Sequence, residues 1–93
     1  MMDELAKYRA ALNTIDEQII TLLGQRYTIC RNVAEYKKEQ QIPVMQHDRV
    51  KEVKERSANL AVQQQINPDF VRELYDLIID EACRIEESII NNR

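Results

Sequence analysis

"DELAKYRAALNTIDEQIITLLGQRYTICRNVAEYKK", residues 3–38, decides the fold. Leu5, Tyr8, Leu12, Ile15, Ile19, Leu22, Ile29, Val33 and Tyr36 recur in steps of three and four, with one gap. That is the apolar seam of a helix that packs against other helices. No proline interrupts it. Gly24 weakens such a helix by roughly 1 kcal/mol relative to alanine, and close approach of another backbone is the expected reason for it. A helix of this extent is about 54 Å long, whereas a compact chain of this size has a radius of gyration of about 12–13 Å. Residues 48–64 and 68–91 cannot sheathe it. Either the helix bends back or a second copy covers it, and no turn signal favours a bend. The expected architecture is therefore all-α: a single domain over residues 1–93, three helices with the first very long, intertwined with a second copy as a homodimeric bundle.

Composition agrees. One glycine and two prolines in 93 residues leave too little punctuation for a chain of short strands and turns. The first helix should end in the stretch "YKKEQQIPVMQHDRV", residues 36–50, where Pro43 stiffens a loop at 38–47 and disfavours helix at Ile42. A second helix is expected from Asp48 as N-cap, with a thin apolar stripe of Val50, Val53, Leu60 and Ala61. A third starts at Asn67, with Pro68 at its first helical position. Phe70, Val71, Leu74, Leu77, Ile78, Ile85 and Ile89 are expected to be its buried face.

Charge and motifs exclude several functions. A net charge of −3 with scattered basic residues does not suit nucleic-acid binding. No apolar run of membrane-spanning length occurs, and MMDELAKYR is not a signal-peptide core, so a cytoplasmic protein without membrane contact is expected. Cys30 and Cys83 lie within helical patterns and read as reduced, small hydrophobes. His47 is the sole histidine, there is no glycine-rich phosphate loop, and neither a metal nor another cofactor is expected.

Four polar residues stand in unexpected places. Arg26 fills the gap in the first seam, so it needs a partner carboxylate, a route to water or a bound anion. Lys37 lies eleven residues further on, which returns it to within about 20° of the same face, some 16 Å along the axis. An elongated dianion could lie between the two, although Lys37 also reads as a solvated helix-end lysine. Arg9 shares a flank with Asp16, as in a surface ion pair, but an antiparallel partner chain could bring it to the other copy's Arg26. Glu86 falls in a stripe with Tyr75, Ile79, Ala82 and Ile90. Burial there would favour its neutral form, unless it only borders the buried face. The pattern suggests a cationic, water-poor pocket that works by positioning and electrostatics.

With these residues in place, the sequence resembles the all-helical chorismate mutase family across about residues 4–90. The matching pieces are YRAALNTIDEQIITLLGQR (8–26), VAEYK (33–37), IPVMQHDRV (42–50) and FVRELYDLIIDEACRIEESI (70–89). The order and spacing of Arg9, Asp16, Arg26, Lys37, Pro43 and Arg49 make the likeness specific. It implies an intertwined dimer with two shared sites that rearranges chorismate to prephenate by a cofactor-free [3,3]-sigmatropic shift. Arg26 would bind one carboxylate of the substrate, and Arg9 of the other chain the second. Lys37 would reach the ether oxygen and a carboxylate, and Arg49 would position the ring end. Glu86 stands where the family has Gln or Glu facing the ether oxygen. A protonated Glu86 there implies turnover that falls with rising pH and flattens in Glu86→Gln.

The sequence departs from the family at one end of the substrate. Val50 replaces an acid that many members place near the ring C4 hydroxyl, Gln46 replaces a common Asp, and Ala82 replaces a Ser. The family reading therefore branches. Chorismate is one substrate, and 4-amino-4-deoxychorismate is the alternative, supported by the likeness of PVMQ–x–x–RV (43–50) and ACRIEE (82–87) to that subgroup. Isochorismate pyruvate-lyase activity and a non-catalytic helical dimer remain further branches. Retention of Arg9, Arg26, Lys37 and Arg49 argues against the last, because a scaffold would gain by replacing Arg26 with Leu.

Overall fold

A computed structural model describes residues 3–91, and these residues form three helices. Helix α1 spans Glu4–Gln40, α2 spans His47–Gln63 and α3 spans Pro68–Asn91. The first is a single helix of 37 residues without interruption, as its unbroken rhythm requires. Asp3 caps it: the side chain accepts from the backbone N–H of Ala6 at 2.7 Å.

Both connections turn without glycine. Gln41 and Gln65 take the left-handed conformation, with φ of 57° and 59°. At the end of α1 the N–H of Ile42 bonds the carbonyl of Lys37. At the end of α2 the N–H groups of Ile66 and Gln65 bond the carbonyls of Ala61 and Val62. The second is a Schellman cap, with glutamine where glycine is usual.

The start of α2 differs from expectation. His47 is already helical and Gln46 is the N-cap, with no side-chain cap bond. Asp48 lies inside the first turn, where its charge favours the helix dipole but its side chain does not cap. At α3, Asn67 caps as read: its Oδ1 accepts from the N–H groups of Asp69 and Phe70.

The helices lie side by side. Helix α3 is central, with α1 packed on one flank and α2 on the other. Tyr27 donates to the carbonyl of Ile78, and Lys38 to that of Ile89, so α1 and α3 run in the same direction. Lys54 pairs with Asp76, and Arg72 with Glu55, so α2 runs opposite to α3. The result measures 60 × 28 × 14 Å, with a radius of gyration of 17.0 Å, against about 12 Å for a compact chain of this length. At 14 Å thick the chain is little more than one helix deep. It is a single layer, and a stable core needs two.

Burial reflects this. The chain buries mainly small residues, Ala34, Ala58, Ala61 and Ala82, with Val71, Ile79 and Ile85. All nine seam residues of α1 are 39–63% exposed. Of the expected buried face of α3, Val71 and Ile85 are buried and Ile78 and Ile89 half-buried, whereas Phe70, Leu74 and Leu77 are exposed. The buried stripe also takes in Ile79, Ala82 and Glu86. At Gly24 a Cβ would meet nothing within 4 Å, so no backbone among the described residues of this chain approaches it. No helix among the described residues is long and apolar enough to cross a membrane.

Candidate active site

Above α3, between α1 and α2, lies a cavity of about 490 Å³, within the range of about 300–1,000 Å³ usual for small-molecule sites. Helix α1 contributes Arg26, Cys30 and Lys37, and the loop contributes Val44 and Gln46. Helix α2 contributes Arg49 and Val50, and α3 contributes Ala82, Cys83 and Glu86. Seven of the eight residues singled out from the sequence therefore meet here. Arg9 does not line the cavity; it stands exposed on the half of α1 that extends beyond α3.

Lys37 and Glu86 anchor one end. The Lys37 ammonium donates to Glu86 Oε1 at 2.8 Å and to the carbonyl of Val44 at 3.0 Å. An ammonium has three donors, so two hold it in place and one remains for a ligand. The Val44 bond also ties the loop to the cavity wall, which is how the break around Pro43 brings Lys37 and Arg49 to one space. Glu86 is 7% exposed. The sequence placed it among apolar side chains without a partner; the structure sets a cation against it.

Arg26 occupies the middle of α1's wall. No carboxylate among the described residues pairs with it. Its guanidinium lies 5.9 Å from the centre of the Tyr75 ring and 3.9 Å from Cys30 Sγ. Stacking on an aromatic ring is a favourable position for arginine but supplies no counter-charge. Of the three ways to accommodate Arg26, an acid among the described residues is thus removed. Arg49 sits at the rim, paired with Glu52 one turn along α2, both well exposed.

The remaining walls are small and neutral. Val50 and Ala82 supply only carbon, and Gln46 is the polar side chain of the three departures. Its amide is free of any capping bond. Cys30 and Cys83 are both free thiols. Burial pushes both up from the ordinary thiol range, the Arg26 cation opposing at Cys30 and the Glu86 charge reinforcing at Cys83. They therefore line the cavity as neutral S–H groups near pH 7.

Sequence reasoning missed Arg56. It lies beside the cavity, in a recess shared with Arg26 and Arg49. The available signal was its spacing: Arg56 is seven residues from Arg49, two helical turns along nearly the same face.

Comparison with known proteins agrees with this geometry. The model of the family "Chorismate mutase type II" matches residues 8–87. A 4-amino-4-deoxychorismate mutase of Streptomyces pristinaespiralis is 39% identical over 88 residues, covering 95% of this chain and 68% of the relative. A second 4-amino-4-deoxychorismate mutase, of Streptomyces venezuelae, is 34% identical over 89 residues, covering 96% of this chain and 86% of the relative. A chorismate mutase of Methanocaldococcus jannaschii is 25% identical over 90 residues, covering 97% and 91%. The long first helix, the proline-stiffened loop and the cation-lined cavity thus have one common explanation: this chain belongs to the chorismate mutase type II family.

Proposed function

We propose that the chain catalyses the cofactor-free [3,3]-sigmatropic rearrangement of a chorismate-type dianion, as a homodimer in which each cavity is completed by Arg9 of the second copy. The observation that carries this reading is Arg26: a half-buried guanidinium lining the cavity, with no carboxylate among the described residues to neutralise it. Its missing counter-charge is supplied by a carboxylate of the substrate.

The chemistry follows from the fixed groups. The substrate is flexible and must fold into a compact diaxial shape before it reacts. Arg26 on one carboxylate, and Arg9 of the second copy on the other, remove that freedom. As the C–O bond breaks and the C–C bond forms, negative charge grows on the ether oxygen. Lys37 meets it with the N–H that Glu86 and Val44 leave free. Because those two bonds already hold the ammonium, little reorganisation is needed as charge develops. Glu86 sets Lys37 by accepting from its ammonium.

The substrate we favour is 4-amino-4-deoxychorismate, which would give 4-amino-4-deoxyprephenate. Two relatives that are 39% and 34% identical to this chain over the aligned residues carry that name. The positions where this sequence departs from the family, Gln46, Val50 and Ala82, all line the cavity. Chorismate is the second reading, supported by the retained cations and by the archaeal relative's name. Purified protein given chorismate, isochorismate and the 4-amino analogue separately, with products identified, tests both. A rearranged 4-amino product formed faster than prephenate is the expected result. Pyruvate release from isochorismate, or no product from any of the three, would reject the proposal.

A further inference from the structure

The cavity continues past Arg26 and Arg49 into a second recess of about 240 Å³. Arg26, Arg49 and Arg56 line it, with the Ser57 hydroxyl beside them and the Tyr75 ring on the α3 side. No acidic side chain lines this recess. Glu52, which pairs with Arg49, is outside it. Arg56 itself makes no hydrogen bond or ion pair among the described residues. Three guanidinium groups around one concave space repel one another, and a bound anion removes that cost.

From this geometry we infer that Arg56 is a substrate-binding residue, joining Arg26 and Arg49 on the ring carboxylate, the one remote from the breaking C–O bond. This rests on the mutase reading above and adds a contact to it. Lys37 and Glu86 fix the ether end of the cavity, and Arg26 stands between that end and the recess. A compact dianion placed with its ether oxygen at Lys37 presents its far carboxylate to the recess. Arg49 and Arg56, two turns apart on α2 with Val53 between them, flank that position. Their forks can take a carboxylate edge-on, which a lysine cannot do in the same way.

The test uses two non-reacting ligands. One is a bicyclic ether dicarboxylate shaped like the cyclic transition state; the other is the same molecule with hydrogen in place of the ring carboxylate. Binding of each is measured calorimetrically to the wild-type dimer and to Arg56→Ala, Arg56→Lys and Lys51→Ala. Lys51 is an exposed cation on the same helix that lines neither space, so its variant controls for the general field. Arg56→Ala should weaken the diacid by roughly ten- to a hundredfold and leave the monoacid unchanged within about twofold. Arg56→Lys should recover part of the diacid affinity, and Lys51→Ala should affect neither ligand. In turnover, Arg56→Ala should raise KM with little change in kcat, since the ring carboxylate is held equally before and during reaction. An equal loss for both ligands, or no loss for either, overturns the role of Arg56. Diacid binding by the wild type would leave the mutase reading standing in that case, whereas a wild type that binds neither ligand sinks both.

Discussion

Helix α1 changes character along its length. Its second half turns an inner face to α3 and the cavity, with Arg26, Tyr27, Cys30, Ala34 and Lys37 buried or half-buried and Ile29 and Val33 of the seam also lining the cavity. Its first half leaves Leu12, Ile15, Ile19 and Leu22 as an outer face that no described residue covers. The difference shows what each face is suited to. Charge turned inward suits a small anionic ligand, since a buried cation without one is costly. Large apolar side chains turned outward suit a protein surface, since a single layer 14 Å thick has no second layer of its own to bury them.

The largest effect should come from spoiling the outer face. Ile15→Asp with Ile19→Asp puts two charges where a second copy is proposed to pack. Sedimentation should then show loss of the dimer, and circular dichroism a largely unfolded chain. Neither change touches the cavity, so a stable, folded monomer would separate the fold from its partner and refute the two-layer argument.

A smaller effect should follow at the inner face. Glu86→Gln removes the charge that faces Lys37 but keeps a side chain that can donate toward the ether oxygen. We expect a stability loss of about 1–3 kcal/mol with turnover retained within about tenfold, whereas Glu86→Ala should cost about a hundredfold or more in kcat. Equal activity of the Ala and Gln variants would remove Glu86 from the reaction.

The smallest concerns Gly24, which lies on neither face. With open space around it, Gly24→Ala should stabilise the protein by about 1 kcal/mol through helix propensity, read as a rise in the thermal midpoint. A fall instead would place a partner's backbone at that position and widen the interface beyond the seam.

Much of this molecule is legible in its sequence because its signals are local. The unbroken rhythm of residues 3–38, the break around Pro43 and the Asn67–Pro68 start each depend on a few neighbouring side chains, and each is present as read. What periodicity does not decide is direction. Helix α3 has two apolar stripes, and the bulkier one, through Phe70, Leu74 and Leu77, faces away from its own chain. Choosing between them needs knowledge of the neighbours. The same holds at α2, where Arg56 is one cation among many on a polar helix until the fold sets it beside Arg26. The caps at Gln41 and Gln65 were hidden for another reason: glutamine tolerates a left-handed φ at a cost, and no pattern marks where a chain accepts it.

The proposed union of the two faces, in which one copy's seam delivers Arg9 to the other copy's cavity, has a direct test. Arg9→Ala and Arg26→Ala should each be nearly inactive alone, because every site in either homodimer lacks one clamp. After unfolding, mixing in equal amounts and refolding together, half of the dimers should hold one variant of each kind. In those dimers one site carries both changes and the other carries neither. Activity should return to about a quarter of the wild-type value. Activity no greater than the average of the two variants would contradict the shared site and leave each chain to work, or fail, alone.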